Sequence, residues 1–368
     1  MHYHIILSEA CNSECRYCYK KSMEEFDNGL DKKFKFDFSS PEISNVDLKR
    51  LKRFLLKDKD AVLIFYGGEP LLEIDKIERI MDEIHIPFRM QTNGKLLDKL
   101  PPKYLNRIKR LLVSLDGTRK RTDFNRGEGT YDKVLANLNL IKQNGYKGEI
   151  IARMTLSQEH PDIYDQVISL LKQGFKSIHW QIDAGFYKHD YDYEKFKKFT
   201  EEYNKSISKL IDYWINEMKK GKVLKLYPFV AIVDSLLKGE ATSLRCGAGY
   251  AGYAISTDGK VVACPIMNCI EDFKAGDLNT NPEDLKKFDV GGKCLKCEFL
   301  DRCGGRCLYW NKAGLWPEQG NDLICDTIKH LIKELEKQLP KIEELIRQKI
   351  IAKRQFNYEK YFGPEIIP

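Results

Sequence analysis

This chain has neither a signal peptide nor an apolar run long enough to cross a bilayer. A helical membrane protein is thereby excluded, and an oxidising compartment is not expected. The chain also lacks an even number of cysteines. Eleven thiols fit a disulfide framework poorly, and in a reducing cytoplasm Cys bind metals more readily than they pair. Neither sign of charge dominates: 61 Lys and Arg stand against 54 Asp and Glu, a net charge of +7. Charge is dense but mostly balanced, so neither a nucleic-acid nor a membrane partner is expected, and an acidic substrate is mildly permitted. What the chain does have is length: 368 residues, 42% of them hydrophobic, suffice for a sizeable core and two or three domains. The expected location is the cytoplasm.

The most informative segment is Cys11-Asn-Ser-Glu-Cys15-Arg-Tyr-Cys18, directly after the apolar run Tyr3–Leu7. Three thiolates so spaced can hold three irons of a [4Fe–4S] cluster, which ordinarily takes four Cys. No fourth Cys appears until Cys246, leaving one iron open for a substrate or cofactor. A zinc knuckle completed by a distant residue is the alternative on spacing alone. About fifty residues later, Gly67-Gly68-Glu69-Pro70 follows the strand-like run 61–66. Its glycines permit close backbone approach to a ligand, and Pro70 suits the opening of a helix.

Apolar runs alternate with amphipathic stretches through the first half of the chain. Strands are expected near 3–8, 61–66, 86–91, 110–115, 149–156 and 177–182. Helices are expected near 46–57, 74–84, 101–107, 130–144 and 161–173, with Gly145 and Gly174 placed as C-terminal caps. Six such repeats predict an α/β fold, a parallel sheet curled into a partial (β/α)6 TIM-like barrel. Ligands of such sheets bind at the carboxyl ends of the strands. The triple Cys and the Gly-Gly-Glu-Pro segment both reach that mouth.

The triple Cys, with aromatic Tyr17 before its last member, and the Gly-Gly-Glu-Pro segment together resemble the signature of the radical S-adenosylmethionine (radical SAM) superfamily. The resemblance implies that Cys11, Cys15 and Cys18 hold a cluster whose open iron binds SAM. It implies that Gly67, Gly68, Glu69 and Pro70 grip the methionine ammonium. Ser114, Asp116 and Asn93 become candidate polar contacts to SAM, Arg126 a partner for its carboxylate, and Leu156 a neighbour of its adenine. No catalytic acid or base is identified. Turn chemistry is the ordinary alternative for the Asn-Gly and Asp-Gly pairs that end strands three and four.

The other eight cysteines fall in the second half. Cys246 is followed by Gly259 and Cys264, then by Cys294, Cys297, Cys303, Cys307 and Cys325. This order resembles the SPASM domain, a C-terminal extension of radical SAM enzymes that holds two auxiliary [4Fe–4S] clusters. By that resemblance Cys294, Cys297, Cys303 and Cys325 hold the outer cluster, and Cys246, Cys264 and Cys307 the inner one. Cys269 is the remaining thiol and the expected fourth inner ligand; the alternative is that it is a small buried hydrophobe and the inner cluster has an open iron. Three [4Fe–4S] clusters and SAM are thus the expected cofactors. The expected organisation is a barrel over 1–183, a bridging helical region over 184–245, the SPASM domain over 246–330, and a helix with a tail over 331–368. Long helices are expected over 191–218 and over 319–355, the second interrupted by Pro340.

Over nearly its full length the chain resembles the archaeal branch of peptide-modifying radical SAM/SPASM enzymes. The chemistry implied is reductive cleavage of SAM to a 5′-deoxyadenosyl radical, followed by oxidation of a peptide or small protein to a crosslink, a thioether or a dehydrogenated product. A ferredoxin or flavodoxin would supply the electron. Sulfatase maturases of the family carry a catalytic Asp directly after the second SPASM Cys, where this chain has Pro265. Many peptide-modifying relatives begin with a leader-recognition module; here Cys11 comes at once, so a separate leader-recognition protein or residues 184–245 are expected to take that role. Two other readings stand beside this one: a radical SAM/SPASM enzyme for a non-peptide substrate such as a tetrapyrrole, and a non-catalytic iron–sulfur electron-transfer protein.

Overall fold

The structure, a computed structural model, describes residues 1–20, 23 and 27–368. Its centre is one ten-stranded sheet. The first six strands are β1 (His2–Ile6), β2 (Val62–Tyr66), β3 (Phe88–Thr92), β4 (Ile108–Ser114), β5 (Glu149–Leu156) and β6 (Ser177–Ile182). They are parallel and pair in chain order, as right-handed strand–helix repeats require. Helices Leu48–Leu56, Ile74–Glu83, Pro102–Leu105, Thr130–Gln143 and Ile163–Lys172 stand where the apolar periodicity predicts them. Asp47 and Asp162 cap two of these helices, accepting from the backbone N–H groups of Arg50 and Asp165. Gly145 and Gly174 follow the helices Thr130–Gln143 and Ile163–Lys172 with φ near +87° and +85°.

The sheet extends past both ends of this series. The two-residue β7 (Lys225–Leu226) adds to β6, while β8 (Gly252–Ile255) lies parallel to β1 on its other side. β9 (Lys260–Val262) and β10 (Lys274–Asp277) continue antiparallel from β8. The thiol-rich second half is therefore fused to the barrel through backbone hydrogen bonds. Residues Glu318–Arg347 form a single helix that runs through Pro340, where an interruption was expected. Loss of one backbone N–H there is tolerated because Leu335 and Ile342 bury on either side of it. This helix packs along the long helix Tyr193–Lys219.

Strand alternation gives the barrel interior three layers. At the amino ends of the strands, His2, Arg89 and Arg110 converge on Glu359 from the chain's last segment. Above them Ile64, Leu112 and Ile151 pack around Phe362 from that same segment. Polar side chains fill the top. The far side of the sheet, through residues such as Tyr3, Leu63, Phe65, Leu111, Val113 and Met154, buries against the helices. The tail thus threads upward through the barrel and supplies part of its filling.

Candidate active site

The loop after β1 is held by the turn after β2. Gly68 N–H donates to Ser8 O (2.8 Å) and Glu69 N–H to Ala10 O (2.9 Å). A Cβ on Gly67 would meet Ser8 O at 2.3 Å, and one on Gly68 would meet Ala10 O at 2.2 Å. The glycines are required by this backbone-to-backbone contact, one residue before Cys11. Glu69 is wholly buried and does not face the cavity. Its carboxylate accepts from Thr92 Oγ1 (2.7 Å), Asn93 N–H (2.7 Å) and Leu71 N–H (3.1 Å), so it ties the β2 turn to the end of β3. Burial nevertheless pushes its carboxyl up to about 7. Pro70 opens a 3-10 turn leading into the helix Ile74–Glu83.

The end of β4 is organised around Asp116. It is completely buried and accepts from Arg126 Nε (2.9 Å) and Nη2 (3.0 Å), from Thr155 N–H (2.9 Å) and from the Tyr17 hydroxyl. Such a fork–fork pair fixes both partners. Burial opposes the charge on Arg126, but Asp116 outweighs it and holds the guanidinium firmly protonated. The remaining nitrogen, Nη1, points to Cys15 Sγ at 3.9 Å, and Asn93 Nδ2 points to Cys11 Sγ at 3.8 Å. Arg126 ends a helix, Arg119–Arg126, that apolar periodicity does not announce. Ser114, Asn93, Gly67, Gly68 and Arg126 line one cavity with Cys11, Cys15 and Cys18. Asp116 and Glu69 stand behind that wall as positioning groups. Leu156 is buried, and its carbonyl receives the Asp183 N–H (3.0 Å).

Cys246, Cys264 and Cys307 line the same cavity. Burial raises all three thiols, Cys246 to about 12, and the neighbouring thiols of the trio raise Cys264 and Cys246 further. A second group forms beyond them: Cys294 neighbours Cys297, and Cys325 neighbours both Cys303 and Cys294. Cys269, the expected fourth inner ligand, has different surroundings. It does not line the cavity, its charged neighbours are Glu9 and Asp37, and its carbonyl accepts the Asp37 N–H (2.9 Å). The cause is local: a 3-10 turn over Pro265–Met267 redirects the chain, and Asn268 Nδ2 is bound to Glu9 Oε1 (2.9 Å). Among the described residues no three Cys, His, Asp or Glu converge as on a single metal ion. A cubane cluster, with its ligands on separate irons, holds sulfurs farther apart than one ion does. The soft donor set, with N–H groups aimed at two of its sulfurs, fits such a cluster.

Sequence reasoning missed the polar ceiling of the cavity. Arg153 and Thr155 of β5, Gln181 of β6 and Asp183 just after β6 line it, and Arg306 adjoins Cys307. Arg153 Nη2 donates to Gln181 Oε1 (2.6 Å). Strand parity could have found them, since Arg153 shares a face with Glu149 and Ile151. Phe362, Gly363 and Ile366 of the aromatic, Pro-containing tail also line the cavity. Among the described residues no helix is long and apolar enough to cross a membrane.

Comparison with known proteins agrees with this geometry. Residues 5–171 match the model of the Radical SAM superfamily. An uncharacterised protein of Archaeoglobus fulgidus is 26% identical over 345 residues, covering 88% of this chain and 78% of the relative. The radical SAM cyclopropyl synthase TigE of Paramaledivibacter caminithermalis is 23% identical, covering 90% and 73%. In fold, the chain resembles native anSMEcpe with bound AdoMet (TM-score 0.71, 20% identity, 93% of this chain and 99% of that one). It also resembles Streptococcus suis SuiB bound to precursor peptide SuiA (TM-score 0.53, 18% identity, 84% and 72%). A radical SAM fold implies SAM and a [4Fe–4S] cluster. The similarity to the Radical SAM superfamily thus rests on residues 5–171, the stretch that carries Cys11, Cys15, Cys18 and the Gly67–Pro70 turn.

Proposed function

We propose that this chain reductively cleaves SAM and oxidatively modifies a peptide or small protein, with auxiliary iron–sulfur clusters held by the two thiol groups of its second half. One observation carries the reading: a single cavity is walled by Cys11, Cys15 and Cys18 and also by Cys246, Cys264 and Cys307. When bound, SAM and its cluster supply a carbon radical strong enough to take a hydrogen atom from an unactivated carbon. The chain's own residues do the rest. Arg126, fixed by Asp116, presents a positive charge beside Cys15. Asn93 donates toward Cys11, and the buried tail closes the barrel from below, keeping water out. Support for a peptide comes from the fold relatives: anSMEcpe has been solved with Cp18Cys and Kp18Cys peptides, and SuiB with its precursor peptide. With Cys269 as fourth ligand the inner cluster would serve electron transfer, whereas three thiols alone would leave an open iron suited to thioether chemistry. The test is anaerobic reconstitution, reduction and incubation with SAM and peptides encoded beside the gene. Formation of 5′-deoxyadenosine with a two-hydrogen mass loss in a peptide is expected. Protein that binds iron yet never cleaves SAM would be an electron carrier instead.

A further inference from the structure

Oxidising a substrate requires more than taking a hydrogen atom. A fragment H–C–X–H, with X a carbon or heteroatom, gives one hydrogen atom to the 5′-deoxyadenosyl radical, forming 5′-deoxyadenosine. The radical left behind must then lose one electron and the X–H proton before a C=X bond can form. An iron–sulfur centre is the class of acceptor for the electron. The proton needs a base within the cavity.

Among the described residues that line the cavity, Asp183 is the sole carboxylate. It stands directly after β6, anchored by its own N–H to Leu156 O at 3.0 Å. The Arg306 guanidinium brackets it, lying 3.4 Å from the carbonyl oxygens of both Ile182 and Ala184. Glu69 and Asp116, buried nearby, have committed their oxygens to three and five donors. Asp183 lines the cavity and has no side-chain hydrogen bond among the described residues. The other lining groups serve poorly. Arginines carry no acceptor. Burial raises the Tyr17, Tyr19 and Tyr66 hydroxyls above their ordinary range, so none is a phenolate at neutral pH. Burial likewise depresses His4 to about 3, making it a weak base. Pro265, which also lines the cavity, offers none.

We propose that Asp183 is the proton acceptor of the oxidation, receiving the X–H proton as the electron leaves toward the thiol group that begins beside Arg306. This rests on the oxidative reading given above. Burial raises the Asp183 carboxyl to about 7; Asp190 and Glu159 add to the rise, and Arg306 and Lys195 oppose it. A base so poised matches a neutral operating pH. Proton and electron would leave on the same side of the substrate, because Arg306 precedes Cys307 in the chain.

The experiment compares Asp183→Asn and Asp183→Glu with the natural protein, all reconstituted, on a panel of synthetic peptides each bearing one oxidisable side chain. The Asn variant should form about a hundredfold less modified peptide per 5′-deoxyadenosine, and the Glu variant should recover part of that coupling. Product formation by the natural protein should rise through a midpoint near pH 7, a rise absent from the Asn variant. Independently of turnover, the infrared difference spectrum between pH 6 and pH 8 should contain a protonated-carboxyl band that Asp183→Asn removes. Wild-type coupling in the Asn variant, or a spectrum without an Asp183-dependent band, overturns the assignment. If the natural protein cleaves SAM and modifies no peptide of the panel, the peptide reading fails. The infrared band then decides Asp183 alone: its presence keeps the residue as base for another substrate, and its absence removes it.

Discussion

Single residues show how much of this site is scaffolding for a few exposed groups. Arg126 reaches Cys15 only because Asp116 grips its other two nitrogens. Asp116→Asn should therefore cost about 3–5 kcal/mol of stability, since it leaves a buried guanidinium uncompensated, and should weaken SAM binding at the same time. Thermal melts and equilibrium binding of SAM check both effects. Gly68→Val acts on a different contact. Its Cβ would press into Ala10 O, displacing the loop that carries Cys11, so iron content and SAM affinity should fall together. Full iron with unchanged SAM affinity would show that the contact yields without harm. Asp116 and Arg126 were legible as candidates, but not their pairing. That pairing depends on the short helix Arg119–Arg126, whose sole large apolar residue, Phe124, is exposed, so no amphipathic pattern betrays it. Asp183 went unremarked for a related reason: one carboxylate just past a strand resembles any polar turn residue.

At the scale of elements, legibility followed burial. The first six strands are sandwiched between helices and barrel interior, so β2 is buried at all five positions and reads as an uninterrupted apolar run. β7 to β10 are two to four residues long and exist because neighbours pair with them, a signal absent from local sequence. The tail is the extreme case. Glu365, wholly buried, accepts from Tyr361 and Gly363 N–H, and burial lifts its carboxyl to about 7 while Arg245 opposes the rise. A carboxyl whose folded pKa lies above its unfolded value of about 4.3 costs stability as pH rises between the two. Glu365→Gln should remove that slope. Relative to the natural protein, the variant should gain on the order of 2–3 kcal/mol on going from pH 5 to pH 8, read from melting temperatures at each pH. A difference independent of pH would mean that Glu365 is ionised throughout.

For the whole molecule, the test is a count of iron. Three four-iron clusters predict about twelve irons per chain. Changing Cys11, Cys15 and Cys18 together to Ala should leave about eight while abolishing 5′-deoxyadenosine formation. About four irons accompanied by zinc would make the second half a zinc domain, and retained SAM cleavage would move the SAM cluster elsewhere. Because β8 pairs with β1 along four residues, losing the second half should also expose the β1 edge. The two halves should then unfold together in a single transition.

The threaded tail also imposes an order of events. A ribosome delivers β1 through β6 and all eleven thiols before Glu359 exists to meet Arg89 and Arg110. Until then the nascent barrel stands open at its base, and the thiols that will face the finished cavity can be reached from below as well as from the mouth. Docking of Phe362 among Ile64, Leu112 and Ile151 shuts that entrance. Once that segment has docked, the way to the cavity's thiols lies through the mouth of the barrel.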